Sequence, residues 1–398
     1  MKHLTDIFTE TELAGMSLPF KDAAAPPATY YTSADLYELE RERIFLKEWL
    51  WVGHAAQVAK PGDYFTFEVA EEPIVVVRDL TNKLGAFSPV CAHRGAIVVQ
   101  GQGNCRSFMC PYHNWTYGLN GKLIGAPTMT ETKNFDPTKH GLTRLKVDIW
   151  EGHVFVNFDQ NCKSLATFLG DITRFVKNYD MGNLACTGRK EYDFPCNWKM
   201  VAENNLEGYH VTGTHGGAGE YSKIDHWSII EGRGMYDILL GEFDEPLSMN
   251  VPGNASAPTS MISELTEVEQ KRQYFILLYP NMLLALQPDS TICYVMLPQG
   301  PHHTKVIVDW HYPKSILDRP DFATIDKANV EGVDGFNDQD IRVLGLAAKG
   351  YKSRMFRPGR YSVHESVVHR LAQYVLARIE GHDAWKAKGL SENQSASK

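Results

Sequence analysis

Two short segments of the sequence each pair a cysteine with a histidine. One residue separates Cys91 from His93, two residues separate Cys110 from His113, and a roughly 16-residue spacer joins the pairs. Thiolates and neutral imidazoles bind borderline metal ions, and a structural zinc site would accept two of each. However, Cys-x-His is tight for one tetrahedral ion. Two irons bridged by sulfides remove this difficulty, because each loop then gives its cysteine to one iron and its histidine to the other.

A second set of metal-binding side chains follows further along the chain. The segment 198–210 predicts a helix on which Asn204, Glu207 and His210 share one face at i, i+3 and i+6. A turn at 212–214 would bring His215 back beside His210. Two histidines and one carboxylate with open coordination positions form the site at which Fe(II) activates O₂. A histidine pair alone is weak support for such a site. The prediction is stronger here because the Cys/His pairs lie upstream and an acidic candidate ligand lies downstream.

The residues around both sets resemble one enzyme family. CAHRG and CPYHNWTYGLNGKL are similar to the two cluster-binding loops of Rieske oxygenase α subunits, and Glu-x-x-His-x-x-x-x-His is similar to the iron motif of that family. The resemblance covers residues from about 30 to 380 and implies tight turns at Gly95 and Gly118. It implies a mononuclear Fe(II) held by His210 and His215, and a Rieske [2Fe–2S] cluster held by Cys91, His93, Cys110 and His113.

The resemblance also assigns the remaining site residues. The family's third iron ligand is an aspartate just before a helix far downstream, where Asp340 fits best and Asp338 is the alternative. Glu207 takes the place of a carboxylate that links the Rieske histidine of one subunit to the iron site of the next. Most members have aspartate there, so the extra methylene of glutamate changes the geometry of the bridge. Asn204 either points at the iron site or packs the helix.

Composition restricts the class of protein. The chain has 398 residues, 43% hydrophobic and 22% charged, with a formal net charge of -8, which indicates a globular protein large enough for two domains. We expect no nucleic acid partner because no basic stripe occurs. We expect no membrane span because no apolar run approaches roughly 18 residues, and we predict a cytoplasmic protein. Seven scattered cysteines argue against a disulfide framework, and Cys105 matches no ligand position.

The elements that must position these residues change along the chain. Residues 1–45 are expected to form a helical segment packed on the catalytic domain, with Ser33 as a helix cap. Short β segments predict a small antiparallel β Rieske domain over 46–158, with a two-residue hairpin turn at Asn120 and Gly121. Residues 159–398 predict a catalytic domain with an antiparallel sheet wrapped by helices, so the fold class is α+β. The resemblance implies its helix-grip, START-like form. Helices are expected at 165–179, 198–210 and 362–380, and a loop at 245–258.

The metals define the chemistry that we expect. A Rieske cluster alone only moves electrons, so His210, His215 and Asp340 argue against a pure electron carrier. The sequence has no NAD or flavin fingerprint, and a separate ferredoxin or flavin reductase should therefore supply electrons. The resemblance implies a homotrimer, with or without a β subunit.

The substrate pocket is expected at largely apolar segments. These are Leu206, 229–240 and 277–297, which suit the hydroxylation or dihydroxylation of an aromatic or other apolar small molecule. Aromatic residues leave a second substrate class open, a quaternary or methylated ammonium compound held by cation–π contacts. Family members with glutamate at the bridge include oxygenases of such compounds. The aromatic residues available are Tyr209, Trp227, Tyr236, Phe275 and Tyr294.

Overall fold

The computed structural model describes residues 2–216, 223–246 and 261–381. The chain divides into two compact units, Phe45–Phe168 and the combination of Met1–Ile44 with Leu169–Lys398. We call them the cluster unit and the iron unit, after the metal sites that the sequence predicts in each. Within the described ranges, no helix is both long and apolar enough to cross a bilayer. Most of the loop predicted at 245–258 lies outside the described residues.

The cluster unit is built from antiparallel strands. Strands β1 to β10 occupy Leu50–His54, Asp63–Val69, Glu72–Arg78, Leu84–Phe87, Gln102–Asn104, Ser107–Met109, Thr116–Gly118, Leu123–Gly125, Arg144–Trp150 and His153–Asn157. Seven of them form a sheet in the order β1-β10-β9-β4-β3-β2-β5, and the other three form the sheet β6-β7-β8. In β2, Phe65 and Val69 are buried and Glu68 is exposed, so one face of the strand meets the core as its alternating sequence predicts.

The hairpin predicted at Asn120 and Gly121 is present between β7 and β8, but its loop is longer. Gly118 N–H donates to the carbonyl of Lys122 at 2.9 Å, and Gly121 N–H donates to the carbonyl of Gly118 at 2.9 Å. A two-residue loop of the favoured type needs positive φ at both central residues. Only Gly121 has it, with φ of 80°. The chain therefore closes the hairpin with a three-residue loop that places Gly121 in the left-handed region.

The iron unit contains one seven-stranded antiparallel sheet. Strands β11 to β17 occupy Ala185–Phe194, Trp227–Glu231, Tyr236–Glu242, Arg272–Leu278, Met282–Leu286, Thr291–Pro298 and Thr304–Tyr312. Their order is β11-β17-β16-β15-β14-β13-β12. In the described residues of both units, helices α1 to α10 occupy Glu10–Ser17, Ala28–Thr32, Ala34–Glu40, Leu165–Leu169, Thr173–Val176, Trp198–Asn204, Val211–Thr214, Lys314–Leu317, Phe322–Tyr351 and Ser366–Ile379. This arrangement confirms the predicted α+β class.

Two helix predictions are confirmed, the one at 165–179 is wrong, and the one at 198–210 holds only as far as Asn204. Ser33 caps α3, its hydroxyl accepting from the N–H of Leu36 at 3.1 Å, and α10 fills most of the segment predicted at 362–380. The single helix predicted at 165–179 is instead α4, α5 and the 3₁₀ turn Lys177–Tyr179. The break falls at Gly170, which has φ of 61° and where a Cβ would lie 2.6 Å from the backbone of Gly234. This tertiary contact overrides the local helical pattern.

Helix α6 is held near both ends by buried polar contacts with the N-terminal helices. Glu40, fully buried, accepts from the Lys199 ammonium at 2.5 Å and from the Trp198 indole N–H at 2.8 Å. The Tyr31 hydroxyl donates to Glu203 at 2.9 Å. A buried charge is tolerated only when it is paired and hydrogen bonded, so these contacts fix the register of α6. The residues that follow α6 form the candidate iron site.

Candidate active site and cluster site

The two Cys/His loops of the cluster unit have the same backbone conformation. In each loop, the N–H of the residue four positions after the cysteine donates to the cysteine carbonyl, Gly95 to Cys91 at 2.9 Å and Asn114 to Cys110 at 3.0 Å. Both donors have positive φ, 77° at Gly95 and 56° at Asn114. Glycine and asparagine tolerate this region best. Asn114 therefore makes the tight turn of the second loop, whereas Gly118, expected there, lies in β7.

The four predicted cluster ligands meet in this unit. Cys91 and Cys110 are 2% and 1% exposed, and the ring centroids of His93 and His113 are 4.7 Å apart. The Nδ1 atoms of both histidines are buried and have no hydrogen-bond partner among the described residues. Buried polar atoms without partners are costly, and two such nitrogens beside two thiols fit the donor set of a Rieske cluster. Cys105 lies among hydrophobic neighbours, and burial raises the pKa of its thiol.

Tyr117 favours the thiolate form of Cys91. Burial disfavours a thiolate at Cys91, but hydrogen bonds from the Tyr117 hydroxyl and from backbone N–H groups hold the pKa of Cys91 below its ordinary value. The Tyr117 oxygen lies 3.2 Å from Cys91 Sγ. Because the thiolate is the metal-binding form of cysteine, this contact supports ligation.

We expect Tyr117→Phe to lower the midpoint potential of the cluster by roughly 20 to 60 mV, the equivalent of one hydrogen bond. A hydrogen bond to a ligand sulfur stabilises the more negative, reduced cluster, so its loss disfavours reduction. Redox titration of the purified holoprotein measures the shift. The matched control is Tyr64→Phe, because the ring of Tyr64 packs on Phe108 in the same unit. An unchanged potential in Tyr117→Phe would show that this hydroxyl does not bond a ligand.

Three side chains of the iron unit converge on one point. The Nε2 atoms of His210 and His215 are 3.2 Å apart, and Asp340 Oδ1 lies 3.3 Å from the His215 Nε2 and 3.9 Å from the His210 Nε2. Asp340 Oδ1 is buried and accepts no hydrogen bond from the described residues. Two ligand atoms about 2.1 Å from one ion are about 3 Å apart when they subtend a right angle. The donor set and spacing therefore fit one Fe(II) with coordination positions left open.

The loop that carries Glu207 and His210 is not the helix that the spacing predicts. Helix α6 ends at Asn204, and α7 begins at Val211. A Cβ at Gly208 would lie 2.9 Å from the indole of Trp227, so only glycine permits this close approach. The predicted i, i+3, i+6 face is therefore wrong, although the three residues still line the same site. The single turn of α7 brings His215 back beside His210, as expected.

Each histidine is oriented by a hydrogen bond to its outer nitrogen. Glu207 accepts from the Nδ1–H of His210 at 2.7 Å and from its backbone N–H at 2.9 Å. The amide oxygen of Gln339 lies 2.8 Å from His215 Nδ1 and accepts a hydrogen bond from its N–H. Both bonds direct the Nε2 atoms towards Asp340. Burial lowers the pKa of His210, but Glu207 and Asp340 together raise it above its usual value. The role of Gln339 was not predicted from the sequence. Its position directly before Asp340 could have indicated it.

We expect Gln339→Leu to weaken Fe(II) binding in the iron unit by about 10- to 100-fold, because His215 loses the acceptor that orients it. Iron retained after dialysis against a chelator measures this, with the visible spectrum of the cluster as internal reference. Asp338→Asn, at an exposed neighbouring position, is the matched control. Equal iron retention in Gln339→Leu and wild type would contradict the assigned role.

Asp340 lies within a helix, not just before one as expected. It occupies the middle of the 30-residue α9, Phe322–Tyr351. Asp334 of this helix accepts hydrogen bonds from the Lys190 ammonium and the Tyr192 hydroxyl of β11, both at 2.6 Å. Asp338, the alternative ligand, is exposed on α9 and outside the group of metal-binding side chains. The structure therefore favours Asp340.

Asn204 contacts the same carboxylate. Burial raises the pKa of Asp340, and the two histidines and a hydrogen bond from Asn204 oppose this rise only in part. Asn204 itself is 8% exposed and lines the cavity beside the site. Of the two possibilities that the sequence left open, the side chain faces the site.

A second group of metal-binding side chains is less suited to an ion. Cys186, Asp309 and His311 converge on adjacent strands β11 and β17. Both carboxylate oxygens of Asp309 accept from Arg189 at 2.7 Å, so the guanidinium already neutralises them. Burial and Asp309 raise the pKa of Cys186 to about 11. A protonated thiol and a clamped carboxylate are poor metal ligands.

A cavity adjoins the three converging side chains. Its empty volume is about 770 Å³, part of it open to solvent. Strand register places Leu239, Phe275, Ala285 and Ile292 in one row across β13 to β16, and this row forms an apolar floor.

The predicted pocket is partly right. The segments 229–240 and 277–297 contribute Leu239 and four further residues, but Leu206, Tyr209 and Tyr236 do not line the cavity. Tyr209 is 57% exposed, and the Tyr236 hydroxyl donates to Asp171 at 2.5 Å. Helix α9 contributes a wall that the sequence analysis missed. Its residues share one helical face with Asp340 and could have been found from that spacing: Val333, Phe336 and Asn337.

Family models match both units. The model described as Rieske [2Fe-2S] domain matches residues 48–136, and the model described as ring hydroxylating alpha subunit (catalytic domain) matches residues 181–381. The chain is 32% identical over 353 residues to the chloroplastic choline monooxygenase of Beta vulgaris, covering 86% of this chain and 74% of that protein. It is 27% identical to the glycine betaine monooxygenase oxygenase subunit of Pseudomonas aeruginosa strain UCBPP-PA14, covering 84% of each.

Solved structures show the same fold. A quaternary ammonium Rieske monooxygenase studied for carnitine oxidation by gut microbiota superposes with a TM-score of 0.77 at 25% identity, covering 92% of this chain and 98% of that chain. Naphthalene 1,2-dioxygenase with bound indole superposes with a TM-score of 0.72 at 19% identity, covering 92% and 96%, which shows the fold alone. The predicted O₂-dependent oxidoreductase with a Rieske [2Fe–2S] cluster and a mononuclear iron is thereby confirmed. With both modules on one chain and relatives that match most of its length, the chain belongs to the Rieske non-heme iron oxygenases, as an oxygenase α subunit.

Proposed function

We propose that this oxygenase is a monooxygenase of quaternary or methylated ammonium compounds. The observation that carries the proposal is an aromatic cavity beside His210, His215 and Asp340, in a chain with sequence relatives named for choline, glycine betaine and carnitine. Of the two substrate classes that the sequence leaves open, this combination favours the ammonium class. The apolar floor of the cavity supports the aromatic class.

Four aromatic side chains face the cavity. They are Trp227, Phe275, Tyr294 and Phe336. The ring centroids of Trp227 and Phe275 are 5.7 Å apart at an interplanar angle of 61°, an edge-to-face contact in the cavity wall. A cation within about 6 Å of an aromatic ring face gains roughly 2 kcal/mol when it is desolvated. An ammonium group bearing methyls suits such a wall, because its charge is spread over apolar groups that need no hydrogen bonds.

Two glycines fix Trp227 in this position. A Cβ would lie 2.9 Å from the indole at Gly208 and 2.8 Å from it at Gly241. Both distances are shorter than side-chain packing allows, so the indole requires glycine on both sides. A platform that is already rigid loses little entropy when a substrate binds.

The side chains around the triad have distinct proposed roles. His210, His215 and Asp340 would hold the iron, which would supply O₂ activation, and Cys91, His93, Cys110 and His113 would hold the cluster, which would supply electrons. Glu207 holds the Nδ1 proton of His210, and Asn204 hydrogen-bonds to Asp340. The apolar floor excludes water from the substrate C–H group that is oxidised. The proposed functional domains are 46–158 for the cluster and 159–398 for the iron, with 1–45 packed on the latter.

The proposal includes partners. A ferredoxin or flavin reductase would reload the cluster, in keeping with the relative named as an oxygenase subunit. We propose a homotrimer in which Glu207 links the cluster of one subunit to the iron site of the next. Sedimentation of the holoprotein gives the oligomeric state, and a monomer would contradict this arrangement.

Replacement of Trp227 tests the proposed function. Trp227→Leu should lower kcat/KM for choline by roughly 10- to 30-fold, because a desolvated cation loses its best ring face. Trp227→Phe, which keeps a ring, should lose less. Affinity for 3,3-dimethylbutan-1-ol, the uncharged shape analogue of choline, should change little in Trp227→Leu. Oxidation of indole by the wild type, with choline and its N-methylated relatives left intact, would instead establish the aromatic class.

A further inference from the structure

The charged side chains that the described residues place around the cavity are acidic. Among the described residues that line it, Glu207 and Asp340 are acidic, and no lysine or arginine is present. Among these described residues, no fixed positive charge other than that of the metal site therefore faces the cavity.

The remaining polar groups of the cavity are neutral. Apart from the two histidines, they are the amides of Asn204, Asn205, Gln287 and Asn337, the indole N–H of Trp227 and the phenol of Tyr294. Gln287 follows the end of β15 and is 4% exposed, and burial raises the pKa of Tyr294, with a smaller contribution from Asp340. Amides and a protonated phenol can hydrogen-bond to a hydroxyl or another amide. They cannot neutralise a carboxylate that is removed from water.

Ammonium substrates differ in the charge of the end that lies opposite the ammonium group. Choline ends in a hydroxyl and carries a net positive charge, whereas glycine betaine and carnitine also carry a carboxylate. A carboxylate is not itself oxidised, so in a reactive pose a C–H group faces His210, His215 and Asp340 while the carboxylate meets the neutral remainder of the wall. Leaving a buried charge unpaired costs far more than a neutral hydrogen bond returns.

We infer that the cavity selects ammonium compounds whose other end is neutral, and discriminates against those that carry a carboxylate. The inference rests on the proposed function and names the substrate class within it. Size does not account for a selection between choline and glycine betaine, because the two molecules are nearly equal in size and differ in charge. The selection comes from charge.

A pair of substrates of equal shape separates charge from size. Glycine betaine and its carboxamide differ by one heavy atom and by the negative charge. With the holoenzyme and a surrogate reductase, we expect kcat/KM for the carboxamide and for choline to exceed that for glycine betaine by roughly 100-fold or more. Glycine betaine oxidised as well as its carboxamide would overturn this inference and leave the proposed function standing. If no ammonium compound is oxidised while indole is, both the proposed function and this inference fail.

A charge added to the wall gives a second test. Gln287→Lys places an ammonium at the neutral end of the cavity, and we expect it to raise the ratio of glycine betaine to carboxamide turnover by at least about tenfold. Gln287→Met has similar length without charge and should leave that ratio unchanged. The ratio is measured within one protein, so partial loss of folded enzyme cancels. An equal ratio in Gln287→Lys and Gln287→Met would contradict selection by charge.

Discussion

The Glu207→Gln protein is expected to fold, to load both metal sites and to accept electrons at its cluster, yet to form product roughly 100-fold more slowly than wild type. Glu207 accepts two hydrogen bonds from His210, one from the ring Nδ1–H and one from the backbone N–H. Glutamine has nearly the same shape, but its NH₂ group must face one of these donors, and it carries no charge. Both the orientation of His210 and the negative charge beside the iron site are therefore lost.

Single-turnover kinetics measure this effect directly. Pre-reduced enzyme without reductase is mixed with choline and O₂, and the oxidation of the cluster is followed with product formation. Glu207→Asp should recover part of the rate, because it restores charge but displaces the carboxylate by about one bond length. Glu365→Gln is a matched control, a half-buried carboxylate outside the lining of the cavity. A wild-type rate in Glu207→Gln would show that electrons reach the iron site by another route.

The His210→Ala protein is expected to lose the mononuclear iron and at least about 1,000-fold in substrate oxidation, because two remaining ligands cannot hold the ion. The iron content should fall from about three irons per chain to about two. The visible spectrum of the cluster should be unchanged, since its ligands lie in the cluster unit. Metal analysis and EPR of the same sample give both quantities.

His303→Ala provides the comparison for this loss. His303 is an exposed histidine paired with Asp193 at 3.0 Å, outside the converging group of His210, His215 and Asp340. This variant should keep three irons per chain and full activity. Substrate oxidation at the wild-type rate by His210→Ala would remove this histidine from the active site.

Residue types and short spacings predicted the metal sites better than they predicted the elements that carry them. The Cys/His loops are local, and their ligands could be named from the sequence because each loop closes on its own cysteine carbonyl. The turn residue of the second loop was assigned to Gly118, but Asn114 adopts positive φ instead. Asparagine tolerates that region, and glycine is therefore not the only residue that can mark such a turn.

The iron site depends on contacts between distant segments, which no local pattern encodes. Helix α6 stops before Glu207 because the chain must pass the indole of Trp227 at Gly208. Asp340 and Gln339 arrive from α9, a helix whose position is set by Asp334 bonding to β11. Sequence analysis identified Asp340 by resemblance but not the helix around it, and so it missed Gln339 and the wall formed by Phe336.

One chain is expected to carry a cluster and an iron site that together oxidise an ammonium substrate. Fully reduced holoprotein, freed of reductase and mixed once with choline and O₂, gives the decisive measurement. Oxidised product is expected in an amount close to that of the mononuclear iron, formed as the cluster is oxidised. Complete oxidation of the cluster with choline recovered intact would show that the two sites do not oxidise this substrate.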